Sequence, residues 1–249
     1  MAYREIIGRY RGSVIGLAWS FFNPLLMLTI YTFVFSVVFK AKWNGDLGEG
    51  QGEFAVILFA GMIVFNLFSE CISRAPTLIL SNANYVKKIV FPLEILPCVV
   101  LGNAIFHGII SLFVLFIAQL LIFHNIPWTF LLLPVVIAPF LFGIIGVCWI
   151  LSAIGVYLRD LSQLIGVLIT VLMFTSPLFF PLSALPIHLQ PFLMLNPLSY
   201  FIEETRAIII FGKLPSFHGL LFAYIASVVT VFLGYAFFQK TRKGFADVI

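Results

Sequence analysis

Three charged side chains stand close together in an otherwise apolar part of this 249-residue chain: Glu203, Glu204 and Arg206, followed by the run Ala207 to Phe211. A charge in apolar surroundings is costly unless it is solvated or paired, so such groups mark a site of function or of structure. Spacing leaves two readings open. The three border the exit of a channel, or Glu203 and Arg206, three residues apart on a helical turn, pair and fix a short helix. Other ionisable groups are sparser. Glu70 precedes Arg74 by four residues, the spacing of a local ion pair near the end of a helix. His107, four residues after Asn103, is expected to hydrogen-bond a neighbouring helix rather than bind a metal. The 4 histidines are too scattered for a ligand cluster. Arg159 and Asp160 read as a helix-end feature bracing two helices. No Ser/His/Asp constellation or paired acidic motif assembles on one side of a membrane, so neither an enzyme active site nor a metal or cofactor on this chain is expected.

Aromatic residues are the larger resource, with 29 Phe, 8 Tyr and 4 Trp. Tyr31, Phe35 and Phe39 recur every four residues and share a helical face. Phe174 sits near Thr170 and Pro177. A flat ring suits the C–H face of a sugar, and contacts that are weak and indifferent to position would let a polymer slide. Packing against lipid or helix remains the ordinary use of any one such ring. Cys71, Cys98 and Cys148 are odd in number and scattered, which predicts reduced, buried thiols.

Positioning these groups falls to apolar helices. The chain is 62% hydrophobic and 10% charged, with a mean hydropathy of +1.13, more apolar surface than a soluble chain of this length can bury. Runs at about 21 to 39, 54 to 73, 95 to 123, 129 to 156, 162 to 180 and 217 to 238 each approach or exceed the ~20 residues that a bilayer demands. The first is too long for a signal peptide's apolar region, and no small-residue cleavage site follows it. The predicted fold is all-α: one polytopic membrane domain over 1–249 with six transmembrane helices.

Charge orients the spans. Arg4, Arg9, Arg11, Arg74, Lys87, Lys88, Arg159, Lys240, Arg242 and Lys243 are ten of the 14 Lys and Arg residues, and the positive-inside rule places them and both termini in the cytoplasm. Only Lys40, Lys42, Arg206 and Lys213 fall outside. The outer segment 181–216 is long and broken by prolines, yet apolar in patches. A re-entrant helix pair, Pro186 to Leu195 and Leu198 to Phe211, fits it better than a surface-lying amphipathic segment.

Before the first span, the residues from Tyr3 to Trp19 predict an amphipathic interface helix over 1–20 that runs without a loop into the membrane. Gly8, Gly12, Gly16 and Ser20 would form a face for close helix packing. Trp19 is expected at the interface as an anchor. The largest internal loop, 74–94, carries Pro76, the polar turn Ser81 to Asn84, Lys87 and Lys88. A short helix there could insert into a cleft on a partner, while juxtamembrane lysines would also anchor to anionic lipid at ~1 kcal/mol each.

Several stretches carry a family resemblance. RYRGSVIGLAWSFFNPLLMLTIYTFVFS at Arg9 to Ser36, NANYVKKIVFPLEILP at Asn82 to Pro97, YLRDLSQL at Tyr157 to Leu164, SPLFFPLSALP at Ser176 to Pro186 and NPLSYFIEETRAII at Asn196 to Ile209 resemble the ABC-2 permeases that export O-antigen, capsule and teichoic-acid polysaccharides. The resemblance implies a permease paired with a second copy of itself and with two copies of a separate ABC ATPase, in a bacterial inner membrane. It implies a channel between the first and fifth spans of the two protomers, which selects Tyr31, Phe35, Phe39, Thr170 and Phe174 as lining. It makes Asn84, Tyr85, Val86, Lys87 and Lys88 the ATPase coupling segment. Glu203, Glu204 and Arg206 then become candidates for an outer gate. ATP and Mg would bind the partner, since this sequence has no G-x-x-x-x-G-K-[ST] loop; its nearest fragment, Gly212 and Lys213, has Ala207 where the first Gly belongs. Lipid-linked polysaccharide is the implied substrate, with membrane lipid around the chain and no nucleic acid as partner. An exporter of drugs or smaller lipids, a passive channel, and a membrane transferase are the alternatives.

Overall fold

The computed structural model describes residues 13, 15–39, 43, 52–87, 91–182, 186, 188, 190, 193 and 196–248. Among these, all regular structure is helical. The principal helices are α1 (Trp19–Tyr31), α2 (Glu53–Arg74), α3 (Ile95–Phe123), α4 (Leu133–Tyr157), α5 (Leu161–Thr175), α6 (Pro197–Ile209) and α7 (Phe217–Thr241). With their short flanking turns, α1, α2, α3, α4 and α7 are long and apolar enough to cross a membrane.

The centre is α2. Every residue from Phe54 to Phe65 is buried, and a helix that is apolar all round belongs in a core. Helices α3 and α6 flank it, and α5 leans on it from another side. Helix α1 continues into a π-helical stretch, Thr32–Val38, which also packs on α2. There the Phe39 N–H reaches back five residues to the Val34 carbonyl at 2.9 Å.

Helices α4 and α7 form a second unit by close backbone approach. A Cβ on Gly146 would stand 2.5 Å from the Thr230 carbonyl oxygen, and one on Gly234 would overlap the Gly146 carbonyl. Small residues at such a crossing let two helices gain dispersion contacts that lipid cannot supply.

Short and deeply set, α6 has its ends satisfied by its neighbours. The Asn196 side-chain oxygen accepts the Leu198 N–H at 3.0 Å. At the other end the Thr129 hydroxyl donates to the Ile208 carbonyl at 2.6 Å and the Gln119 amide to the Ile209 carbonyl at 2.7 Å, both buried. The last carbonyls of a helix have no partner within it. Gln119 and Thr129 are what let this end sit among apolar side chains.

Three expectations need correction. The fifth apolar run stops being helical at Thr175 rather than continuing to 180: Ser176 is extended, with ψ of 151°, as the residue before Pro177 prefers to be. The resulting helix of 15 residues is ~22 Å long, short of the ~30 Å hydrocarbon layer. Gly16 has a φ of +56°, so the chain turns there instead of running on as one helix. Nothing within this chain lies within 4 Å of where a Gly16 Cβ would be, and a positive φ is what glycine allows at this turn. Gly8, Gly12 and most of the predicted interface helix lie outside the described residues, as does most of Pro186 to Leu195. Finally, Cys71 and Cys148 are buried but Cys98 is exposed, and all three are free thiols.

Candidate functional site

Phe35, on the π-helical stretch, is the hub of an aromatic string. Its ring centroid lies 6.0 Å from Phe39, 5.3 Å from Phe54 and 6.2 Å from Phe179. Phe179 in turn lies 6.2 Å from Phe174 at the end of α5. Phe179 therefore bridges the first span to the fifth helix, joining segments far apart along the chain. Phe39 and Phe174 are 69% and 62% exposed, so the string has an inner end in the core and open ends at the surface. Two other expected lining residues stand apart from it. Tyr31 is half-buried against the cores around α2 and α3, and the exposed Thr170 hydroxyl donates to its own helix at Gly166.

Behind the string lies Arg206, fully buried. Its Nε donates to the Ile57 carbonyl at 3.0 Å, and Nη2 to the Leu178 carbonyl at 2.8 Å. Nη1 donates to the Pro177 carbonyl and to Glu203 Oε1, the latter at 3.1 Å. The guanidinium also lies 4.5 Å from the centroid of Trp43, a cation–π contact. Only a planar fork with five N–H groups serves so many acceptors at once. Gly61 makes room, since a Cβ there would come within 2.5 Å of Nη2. The guanidinium is charged at neutral pH, and Glu203 supplies its counter-charge. By gripping Pro177 and Leu178, Arg206 sets the turn that carries Phe179.

The i,i+3 pair of Glu203 and Arg206 is thus present, and Arg206 faces inward as a tie between α6, α2 and the end of α5. Glu203 remains about a third exposed, at 35%. Glu204 accepts both the Ser216 hydroxyl at 2.5 Å and the Ser216 N–H at 3.3 Å, a carboxylate at the start of α7 where a helix N-terminus favours it. Glu70 and Arg74 also form the expected pair, at 4.0 Å.

At the opposite end of the helices, the loop after α2 holds a single turn at Ala75–Thr77 and short helices at Leu78–Ser81 and Ala83–Lys87. Asn84 is exposed, and Tyr85 stacks on Phe91 with centroids 4.9 Å apart. The side chains of Val86 and Lys87, and all of Lys88, lie outside the described residues. The base of this loop is clamped. A Cβ on Gly155 would overlap the Pro76 carbonyl, so α4 runs against the loop backbone. Glu94 Oε2 pairs with Arg242 at 2.8 Å, and its carbonyl accepts the Trp149 indole N–H at 3.0 Å. Tyr157 donates to the Thr241 carbonyl at 3.0 Å. Beneath them Phe245 is buried with Ile79, Leu96, Val156 and Phe238.

Sequence reasoning missed Phe179, Gln119, Thr129 and the Glu94–Arg242 tie. Gln119 carried a signal, an uncharged polar group in a long apolar run. Phe179 carried none among so many phenylalanines.

Long apolar helices packed around one that is buried along most of its length define a polytopic helical membrane protein. Its family follows from comparison: the ABC-2 type transporter family matches residues 1–210, and the chain belongs to it. It is 28% identical to an O-antigen export system permease protein of Myxococcus xanthus, across 100% of this chain and 94% of that protein. A Klebsiella pneumoniae O-antigen export system permease protein is 24% identical, across 99% and 92%. An Escherichia coli polysialic acid transport protein is 25% identical, across 96% and 91%.

Proposed function

We propose that this chain is the membrane-spanning permease subunit of an ATP-driven exporter that moves lipid-linked polysaccharide across a bacterial inner membrane. Similarity along nearly the whole chain to permeases of O-antigen and polysialic acid supports the substrate class. The observation that carries the mechanism is the aromatic string Phe39, Phe35, Phe179 and Phe174, which links the first span to the fifth helix and ends in exposed rings. Two copies would face each other through the first span and α5, apolar and exposed at Phe33 on the π-helical stretch and at Leu164 and Val167 on α5. The strings would then line a shared path with ring faces.

In this reading α5 and the irregular residues 176–182 together complete a sixth crossing, leaving both termini cytoplasmic. Helix α6 is re-entrant, in keeping with end groups satisfied by buried side chains. Glu203 and Glu204 stand at the outer margin of the path, with Arg206 as the tie beneath them. Two ABC ATPase subunits bind ATP and Mg and engage the segment from Asn84 to Lys88. The clamp at Glu94, Arg242 and Phe245 passes their motion to α3, α4 and α7.

The test is purification from the native membrane with identification of stoichiometric partners, followed by export measured in cells. An ABC ATPase retained in equal amount is the expected result, and its reproducible absence would overturn the ATP-driven reading. Charge reversal of Lys87 and Lys88 to Glu should weaken ATPase association. Tyr31→Ala with Phe35→Ala should lower export while assembly persists.

A further inference from the structure

Between α4, α6 and α7 lies a cavity of about 390 Å³ that no ring of the aromatic string lines. Its walls are hydrocarbon almost throughout, with Phe140, Gly143, Leu198, Phe201, Phe222 and Ala226 prominent. The two hydroxyls along α7 are turned back onto their own helix: Ser227 donates to the Tyr224 carbonyl at 2.9 Å and Thr230 to the Ala226 carbonyl at 2.8 Å. Apart from the Tyr200 hydroxyl at one end, water in such a space would find few partners, and an empty void would forfeit the dispersion contacts of its lining.

Shape and place point to one kind of occupant. The cavity follows α7 from Gly219 to Thr230, a length of ~16 Å at the helical rise. That is about half of the ~30 Å hydrocarbon layer, so it runs from one membrane face to the bilayer midplane. Phe222 lines it and is also 74% exposed, so its mouth opens on the surface that meets lipid. Small residues hollow it out. Nothing lies within 4 Å of where a Gly143 Cβ would be. Near the interfacial end Ser216 and the Tyr200 ring crowd Gly219, placing polar atoms at the level of a headgroup.

We propose that this cavity binds one hydrocarbon chain of a membrane phospholipid, lying along α7 with its headgroup near Ser216. None of its lining residues belongs to the aromatic string, and the site does not depend on the transport reading. Occupancy would support α6 through Leu198, Tyr200 and Phe201.

To test it, the full-length protein is incorporated into bilayers of phosphatidylethanolamine and phosphatidylglycerol, with and without undecaprenyl phosphate, and released into detergent for native mass spectrometry. One phospholipid retained per protomer is expected. Gly143→Phe and, from the facing helix, Ala226→Phe should each abolish that retention, whereas Phe142→Leu on the outward side of α4 should leave it intact. Using two filling variants on different helices guards against one that fails to fold. Absence of retained lipid in the parent protein, equal retention in both filled variants, or undecaprenyl phosphate held in place of phospholipid would overturn the proposal.

Discussion

Two arginines tie this domain together at opposite ends, and they do so by different physics. The Arg206 side chain is 0% exposed and serves three backbone carbonyls, a carboxylate and a ring. Arg242 is 40% exposed and pairs with Glu94 at the membrane edge. In the first case the charge is itself the fastening, because removing it would strand acceptors that no water can reach. In the second the fastening is the apolar cluster around Phe238 and Phe245, and the ion pair rides above it. The Arg206 tie is therefore rigid and intolerant of change. The Arg242 tie can be adjusted, which suits an end proposed to take up motion from a partner.

Arg206→Met should have the largest effect. It takes the guanidinium from the Pro177 and Leu178 carbonyls and leaves Glu203 without its cation, at a cost of ~3–5 kcal/mol, read as a lowered thermal unfolding midpoint in nanodiscs; the Ile57 carbonyl, inside α2, keeps its in-helix partner. Arg206→Lys should fall between, since an ammonium keeps the charge but cannot fork. Gly155→Ala comes next. Its methyl would overlap the Pro76 carbonyl, and overpacking of this kind costs ~1–3 kcal/mol; hydrogen exchange should rise in the loop 75–87 and not around α6. Phe179→Leu should cost only ~0.5–1.5 kcal/mol in lost ring contacts yet lower export well beyond that stability change. Arg242→Gln should be smallest, at ~0–1 kcal/mol, and its effect should vanish at high salt because the pair is partly exposed. Should Arg242→Gln destabilise as much as Arg206→Met, the contrast between the two ends would be gone.

Local features are legible in the order of residues. The run 95 to 123 coincides with Ile95–Phe123 because an unbroken apolar stretch of bilayer length has no other stable form. The Glu203–Arg206 and Glu70–Arg74 pairs follow from i,i+3 and i,i+4 spacing, which a helix enforces. Hydropathy taken alone overshoots: Pro177 ends α5 although the apolar run continues. The candidate path is legible only in part. Phe35 and Phe174 can be singled out, but Phe179, which joins them, is one phenylalanine among 29.

Composition and contacts between near neighbours along the chain were enough to define the class of molecule, the positions of most apolar helices and the pairs made within one turn. Long-range packing was needed to choose Ile57 and Pro177, 149 and 29 residues away, as acceptors for Arg206, to bring Gln119 to the end of α6, and to set Glu94 against Arg242. Each is a choice among many acceptors of equal chemistry. Only the packing of α2 against α3, α5 and α6 carries one of them into hydrogen-bond reach of Arg206 or Gln119. Burial then makes that choice binding, since a stranded polar group in hydrocarbon has no solvent to turn to.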